Sequence, residues 1–161
     1  MLLDKSRRED KSKHSDVTRI NSYLCDGGCP KNGTHHANHY NIRVYDLEKK
    51  RIVVSRTYYG KDSCSLAGEL TSILEACAIC HKYATIYNDS TTAINYVKNG
   101  VAEGSDKFIM FKDIVEKINN LVFQKELKIE WWDNKKERNY ADCKLDFKEE
   151  KRSSWKRRYR S

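Results

Sequence analysis

Apolar and polar residues alternate in the first part of the chain, and this alternation predicts three strands, near 19–25, 39–47 and 51–59. In the second of these segments, Ile42 and Val44 are separated by a polar residue, as in an antiparallel strand with one buried face, and Ile52 and Val54 repeat this two-residue spacing in the third. The polar residues 48–50 predict a turn between them. We therefore expect the fold to begin with antiparallel strands.

The rest of the chain alternates between helical and strand patterns. Helices are predicted over about 65–82, 90–98 and 105–124 and from near Arg138, and strands over 84–88 and 127–131. In the longest helix, Phe111, Val115 and Ile118 form a stripe that predicts a buried face. This order of elements predicts an α/β fold, in which a mixed five-stranded sheet (three antiparallel strands, then parallel ones) is flanked by helices.

The length of 161 residues is that of one domain, and a content of 39% apolar residues allows a modest core. We expect a charged, disordered leader over 1–16, a folded domain over 17–147 and a basic tail over 148–161. No apolar segment has the length of a signal peptide or a membrane span, which predicts a cytoplasmic protein with no membrane partner. A monomer is the expected state.

The net charge of +8 predicts a polyanionic partner, and much of this charge lies in the tail. Residues 148–161 contain seven cationic and two acidic side chains, with two aromatic side chains among them. Cations that contact phosphates and aromatics that stack on bases would form a nucleic-acid grip from Lys151, Arg152, Trp155, Lys156, Arg157 and Arg158. A charged, solvated terminal helix is an equally good interpretation of these residues.

Four acidic residues stand in distinctive local settings: Asp26, Glu69, Asp89 and Asp142. The first and third end predicted strands, the second lies on the apolar face of a predicted helix, and the fourth is near the start of the last predicted helix. Carboxylates in such places are costly to bury unless a cation meets them. Because clustered oxygen ligands suit Mg²⁺, and paired Mg²⁺ ions can cleave phosphodiesters, these residues favour a metal-dependent nuclease.

Each of these acidic residues also has an ordinary interpretation. An aspartate before glycine, such as Asp26, is usually a turn residue, and Asp89 with Ser90 can simply cap a helix. Glu69 is the exception, because its neighbours on the helix face are apolar. The order of strand, helix, strand and helix for the four residues together is what favours a shared site.

The same order of motifs resembles that of a known family. Residues 25–33 resemble the first motif of type 1 ribonucleases H, an aspartate before a glycine-rich turn, and residues 68–76 resemble their acidic helix motif. Residues 87–90 are similar to the family's aromatic-x-Asp-Ser strand end, and residues 138–142 resemble its terminal Asn-Glu-x-Ala-Asp motif in altered form. The resemblance covers about 19–147.

This resemblance implies the ribonuclease H fold and an endonuclease that hydrolyses the RNA strand of RNA–DNA hybrids, leaving 5′-phosphate and 3′-hydroxyl ends. Two Mg²⁺ ions, which Mn²⁺ could replace, would be held by Asp26, Glu69, Asp89 and Asp142. The first of these would bridge the ions, and the last would be the more mobile ligand. Substrate contacts are assigned by the resemblance to Gly27, Gly28, Cys29, Asn32 and Ser90. An asparagine before glycine, such as Asn32, is also a common turn residue.

The chain departs from the family pattern at three points. No histidine follows His81, although the family often has one in a loop before its last aspartate. Asn139 takes the place of the usual glutamate, and residues 65–66 replace the polar residues usual before the helix glutamate. These departures keep two alternatives open: a nucleic-acid-binding module that has lost catalysis, and a related nuclease such as a junction resolvase. The four carboxylates favour the enzyme.

Six cysteines and five histidines permit other chemistry. Residues 77–81 match the string that attaches c-type haem, but a helical pattern without an export signal makes a chance match the better interpretation. Five residues are possible zinc ligands: Cys25, Cys29, His35, His36 and His39. Their spacing is tighter than that of a usual zinc finger, and a metal there would occupy the Asp26 loop. We therefore expect neither haem nor zinc, and cysteines that are reduced and packed in the core.

Overall fold

The structure is a computed structural model that describes residues 19–30 and 37–143. Its strands are β1 (Ser22–Gly28), β2 (Ala37–Asp46), β3 (Arg51–Ser63), β4 (Thr85–Asn88) and β5 (Lys128–Trp131). They form one sheet with the order β3-β2-β1-β4-β5. The first three strands are antiparallel, whereas β4 runs parallel to β1 and β5 parallel to β4. The predicted mixed sheet is confirmed. The predicted leader and basic tail lie outside the described residues.

Three helices accompany the sheet: α1 (Ser65–Ile79), α2 (Thr91–Asn99) and α3 (Asp106–Lys125). α1 ends three residues before the predicted boundary because a lysine side chain closes it. The Lys125 ammonium donates to the carbonyl oxygens of Cys77, Ala78 and Cys80 at 2.8, 2.9 and 2.9 Å. These bonds satisfy carbonyl groups that have no partner within a helix end. No helix within 19–30 and 37–143 is long and apolar enough to span a membrane.

The main core lies between one face of the sheet and the helices. Ile42 of β2 and Ile86 of β4 are fully buried there with Ile73 of α1. The stripe predicted on α3 is confirmed at its centre, where Phe111 and Val115 are buried. Burial of these apolar side chains is what holds α1 against the sheet and α3 against α1.

A second, smaller cluster covers the other face of the sheet. Its buried members are Leu24, Leu47, Trp132 and Ala141. Leu24 alternates along β1 with Tyr23 and Cys25 of the main core, so it points to the opposite face. The segment that follows β5 therefore packs across the face opposite to the helices, which is also the face toward which Asp26 points.

β1 continues three residues beyond the predicted strand end at 25. The sequence Asp-Gly-Gly predicted a turn, but Asp26 pairs with Arg43 of β2 and Gly28 pairs with Asn41. Hydrogen bonds to a neighbouring strand outweigh the local turn preference of these residues. Asp26 therefore lies inside a strand and has a fixed direction, instead of marking the start of a loop.

The final helix predicted from near Arg138 is not formed over residues 138–143. The segment turns instead: the Asp142 N–H donates to the Asn139 carbonyl at 3.2 Å. The Asn139 side-chain oxygen also accepts from the Ala141 N–H at 2.9 Å. Asparagine side chains compete with helical hydrogen bonds in this way, which is the physical reason for the difference.

Candidate metal centre

Three carboxylates converge at the point where β1 and β4 separate. The parallel register of these strands ends at the pair Cys25 and Asn88. Asp26 follows on β1, Asp89 follows β4, and Glu69 reaches the same point from α1. One oxygen atom from each of the three carboxylates lies within 4.8 Å of the others. Asp26 and Glu69 are 1% and 8% exposed, and Asp89 is half-buried. Strand divergence thus creates the gap in which the carboxylates meet.

A close contact between two glycines places the glutamate at this gap. A Cβ atom on Gly27 would lie 2.0 Å from the Gly68 carbonyl carbon and 2.5 Å from the Glu69 nitrogen. The backbone of α1 therefore approaches the backbone of β1 to a distance that a side chain would prevent. The Gly27 N–H also donates to Glu69 Oε2 at 3.3 Å. The substrate contact expected of Gly27 stays a prediction, and in the structure this residue positions Glu69.

Hydrogen bonds hold one oxygen of each carboxylate. The Cys143 N–H donates to Asp26 Oδ2 at 2.9 Å. The Asn88 side-chain amide donates to Glu69 Oε2 at 2.8 Å. Asp89 Oδ2 accepts from the side-chain amides of Asn134 and Asn139 at 2.8 and 3.0 Å. All of these donors are neutral amides, so they orient the carboxylates without cancelling their charge.

Burial and mutual repulsion disfavour the ionised carboxylates. The pKa of Asp26 is raised to about 7, first because burial penalises its charge and second because Asp89 lies nearby. Burial, and then the charges of Asp26 and Asp89, raise the pKa of Glu69 well above its usual value. Asp26 Oδ1 is also buried and accepts no hydrogen bond from the described residues. An all-oxygen donor set with excess negative charge and an unused buried oxygen fits a hard divalent cation such as Mg²⁺ or Mn²⁺.

Asp142 lies beside the three carboxylates and is not a member of the group whose ligand atoms converge. It is half-buried, and its charge contributes to the raised pKa of Asp26. The Arg43 guanidinium donates to the Asp142 carbonyl oxygen at 3.1 Å. The segment containing Asp142 is therefore held against β2, with its acidic side chain close enough to act on Asp26.

The other residues predicted from the resemblance lie in different places. Ser90 is the N-cap of α2, and its hydroxyl accepts from the Ala93 N–H at 3.1 Å. Gly28 ends β1. Cys29 is buried, and its thiol donates to the Ser63 carbonyl at 3.8 Å. Asn32 lies outside the described residues, as do two of the residues considered as zinc ligands, His35 and His36. The predicted nucleic-acid grip lies outside them as well: Lys151, Arg152, Trp155, Lys156, Arg157 and Arg158.

The cysteines in the described residues carry free thiols. Cys25, Cys77 and Cys80 are buried in the main core. Burial raises the pKa of the Cys77 thiol to about 12, so this thiol is a poor nucleophile at neutral pH. Cys64 is half-exposed, and its sulfur caps α1 by accepting from the Ala67 N–H at 3.4 Å. These thiols serve as small packing groups and as a helix cap.

Sequence reasoning missed three residues that shape the centre: Asn88, Asn134 and Gly68. Two of them carried a signal. Asparagine is depleted in strands, so Asn88 at the end of a predicted strand indicated a polar role. Glycine is costly inside a helix, so Gly68 next to Glu69 indicated a close backbone approach. Asn134 lies in a polar loop, where nothing in the sequence distinguishes it from its neighbours.

A cleft of about 630 Å³ opens onto the centre. Glu69 and Asp89 line it, together with Ser90 at the start of α2, Lys107 at the start of α3 and Asn134. The carboxylates can therefore be reached from the surface on the side where two helices begin. The cleft offers both a cationic and a hydroxyl group beside the acidic centre.

No protein-family model and no curated protein sequence matches this chain. Among solved structures, the chain is similar to the N-terminal RNase H domain of rv2228c from Mycobacterium tuberculosis, with a TM-score of 0.52 and 15% identity over 75% of this chain and 88% of that chain. It is also similar to LC11-RNase H1, solved in complex with an RNA/DNA hybrid, with a TM-score of 0.52 and 14% identity over 75% and 90%. The chain therefore has the ribonuclease H-like fold.

Proposed function

We propose that this protein is a metal-dependent endonuclease that hydrolyses the RNA strand of RNA–DNA hybrids, leaving 5′-phosphate and 3′-hydroxyl ends. The observation that carries the proposal is the convergence of Asp26, Glu69 and Asp89 to within 4.8 Å on a ribonuclease H-like fold. Three carboxylates so close together would repel a polyanionic substrate. A divalent cation turns the same groups into a site that attracts a phosphodiester.

Asp26, Glu69 and Asp89 would hold the cations, with Asp142 as a fourth ligand from the segment folded beside them. In each of the three convergent carboxylates, hydrogen bonds occupy one oxygen and leave the other for a metal. When bound there, Mg²⁺ or Mn²⁺ would lower the pKa of an attacking water and would stabilise the leaving 3′ oxygen. The protein's own contribution is to hold these oxygens at fixed positions before the substrate arrives.

Substrate choice rests on the groups around the centre. One of the similar structures is an RNase H bound to an RNA/DNA hybrid, which supports the same substrate here. The main chain at Gly28 and Cys29, with Asn32 and Ser90, would contact the RNA strand, where the 2′-hydroxyl distinguishes RNA from DNA. Lys107 in the adjoining cleft offers a cation for a phosphate. The basic tail would add contacts to phosphates that do not depend on the nucleotide sequence.

Cleavage of labelled nucleic acids tests this proposal. Hybrid, double-stranded RNA, duplex DNA and a four-way DNA junction are each incubated with Mg²⁺ or Mn²⁺, using wild-type protein and Asp89→Asn. We expect metal-dependent cutting of the hybrid's RNA strand, which the variant loses because a metal ligand and its charge are removed. Hybrid binding without cutting under either metal would instead identify a binding module. Junction cutting would identify a resolvase.

The two amides that hold Asp89 give a separate prediction. We expect the double variant Asn134→Ala with Asn139→Ala to need about 10–100-fold more Mg²⁺ for half-maximal cleavage, because an unrestrained Asp89 must be ordered when the metal binds. A titration of cleavage rate against Mg²⁺ measures this. Asn99→Ala is the control, since its amide donates to Asn95 on the exposed surface of α2 at 2.7 Å. An unchanged Mg²⁺ requirement in the double variant would contradict the assignment.

A further inference from the structure

Asn88, the last residue of β4, is fully buried beside the metal centre. Its amide nitrogen donates to the Cys25 carbonyl at 3.0 Å and to Glu69 Oε2 at 2.8 Å. Its side-chain oxygen accepts from the Ser90 N–H at 2.8 Å. One side chain thus bonds to β1, to α1 and to the start of α2.

The orientation of the Asn88 amide is fixed by its partners. The Cys25 carbonyl can only accept a hydrogen bond, and the Ser90 N–H can only donate one. The nitrogen must therefore face Cys25 and Glu69, and the oxygen must face Ser90. Both amide hydrogens are directed at acceptors, so little freedom remains for this side chain in the folded protein.

We infer that Asn88 is a positioning residue that sets the relative placement of all three convergent carboxylates. It binds the Glu69 carboxylate directly, it binds the residue before Asp26, and it is itself the residue before Asp89. The inference rests on the proposed function, because it concerns how the same carboxylates receive a metal. Asn88 makes no contribution of its own to the chemical step.

Other side chains at position 88 could not make the same hydrogen bonds to Cys25, Glu69 and Ser90. Aspartate would present an oxygen in place of the nitrogen, facing the Cys25 carbonyl and the Glu69 carboxylate, and would add another charge to the centre. Alanine would leave the Cys25 carbonyl and the Ser90 N–H without this partner. Threonine suits a strand and brings one hydroxyl donor in place of two amide hydrogens. A graded loss is therefore expected from asparagine to threonine to alanine.

Mn²⁺ binding without substrate tests the inference, by calorimetry or by the Mn²⁺ electron paramagnetic resonance signal. We expect Asn88→Ala to weaken Mn²⁺ binding by about 10–100-fold. The Mn²⁺ affinity of Asn88→Thr should lie between those of the wild type and the alanine variant. In cleavage assays, we expect kcat to fall by a larger factor than KM for the hybrid rises, because every residue assigned to contact the substrate is retained. Ser22→Ala is the matched control, since Ser22 is also buried and its hydroxyl donates to the Ile20 carbonyl at 3.2 Å, at the end of β1 opposite to Asp26.

The outcomes separate this inference from the proposed function. If wild-type protein binds no Mn²⁺, the proposed metal centre itself is wrong. If the wild type binds Mn²⁺ and both Asn88 variants bind it equally well, Asn88 is only a structural residue and the inference is overturned. If Ser22→Ala weakens Mn²⁺ binding as much as the Asn88 variants do, the effect comes from general loss of packing, which also overturns the inference. Asn88→Thr provides a measurement if the alanine variant does not fold.

Discussion

Replacing Asp26 with asparagine should abolish cleavage and, in the absence of metal, make the folded protein more stable above neutral pH. Asp26 is 1% exposed, and its Oδ1 atom accepts no hydrogen bond from the part of the chain that the structure describes. An amide keeps the shape of the side chain and removes the buried charge that Asp89 and Asp142 oppose. Its nitrogen could also donate toward Glu69. The same substitution deletes a metal ligand, so activity and stability should change in opposite directions.

The sign of the pH dependence follows from the raised pKa of Asp26. Its value is 3.8 in an unperturbed chain and about 7 in the folded protein, so the folded state binds the proton more tightly. The resulting stabilisation is complete below pH 3.8 and is lost as the pH rises through 7. A shift of this size corresponds to roughly 4 kcal/mol, of which we expect the amide to recover about 2–4 kcal/mol at pH 8.

Urea unfolding in a metal chelator between pH 5 and pH 8 measures this effect. The wild type should lose stability across that interval, and Asp26→Asn should lose much less. Added Mg²⁺ should raise the unfolding midpoint of the wild type at pH 8 and have little effect on the variant. Glu116→Gln serves as control, because this carboxylate is exposed on α3 and should affect neither stability nor cleavage. An Asp26→Asn protein that is less stable than the wild type at pH 8 would show that the buried charge of Asp26 does not destabilise the folded protein.

Replacing Gly27 with alanine should disturb the fold more than the same substitution at Gly60, Gly68, Gly100 or Gly104. The new Cβ would lie 2.0 and 2.2 Å from the carbonyl carbon and oxygen of Gly68. These are backbone atoms of α1, so the helix must move away from β1 and take Glu69 with it. We expect a loss of about 3 kcal/mol or more, because the clash cannot be relieved by a side-chain rotation. Cleavage should be lost as well.

Thermal unfolding followed by circular dichroism gives the size of the Gly27→Ala effect, which we expect to be a fall in Tm of roughly 10 °C. Gly68→Ala should be milder, because its Cβ would lie 3.3 Å from the nearest Gly27 atoms. Gly60→Ala in β3 is the control: nothing lies within 4 Å of its added Cβ, and no change in Tm is expected. Equal stability of the Gly27 and Gly60 variants would mean that α1 does not approach β1 as closely as described.

Periodic patterns were sufficient to predict most elements. The alternation in β2 and the stripe on α3 come from burial of one face, which leaves a repeating mark in the sequence. Boundaries failed where a distant residue decides them. α1 ends early because Lys125 caps it, and β1 extends through Gly28 because β2 pairs with it. Neither partner is near in sequence, so local propensity could not indicate these ends.

The candidate site divides in the same way. Glu69 could be predicted from its own neighbours, because burying a carboxylate on an apolar helix face is costly unless a cation binds it. Asp26 and Asp89 became candidates through the order of motifs and the family resemblance. The final motif was predicted to begin a helix, but Asn139 bends it into a turn and directs its amide at Asp89. That role depends on a contact across fifty residues, which a local motif does not contain.

The class of fold, the apolar faces of its helices and strands, and the identity of the acidic residues could all be predicted, since each of these depends on composition and on spacing along the chain. How the acidic residues meet depends instead on tertiary contacts. The separation of β1 from β4, the contact of Gly27 with Gly68 and the hydrogen bonds of Asn88 are relations between distant segments. They arise when the sheet and helices pack, and they convert separate carboxylates into one site.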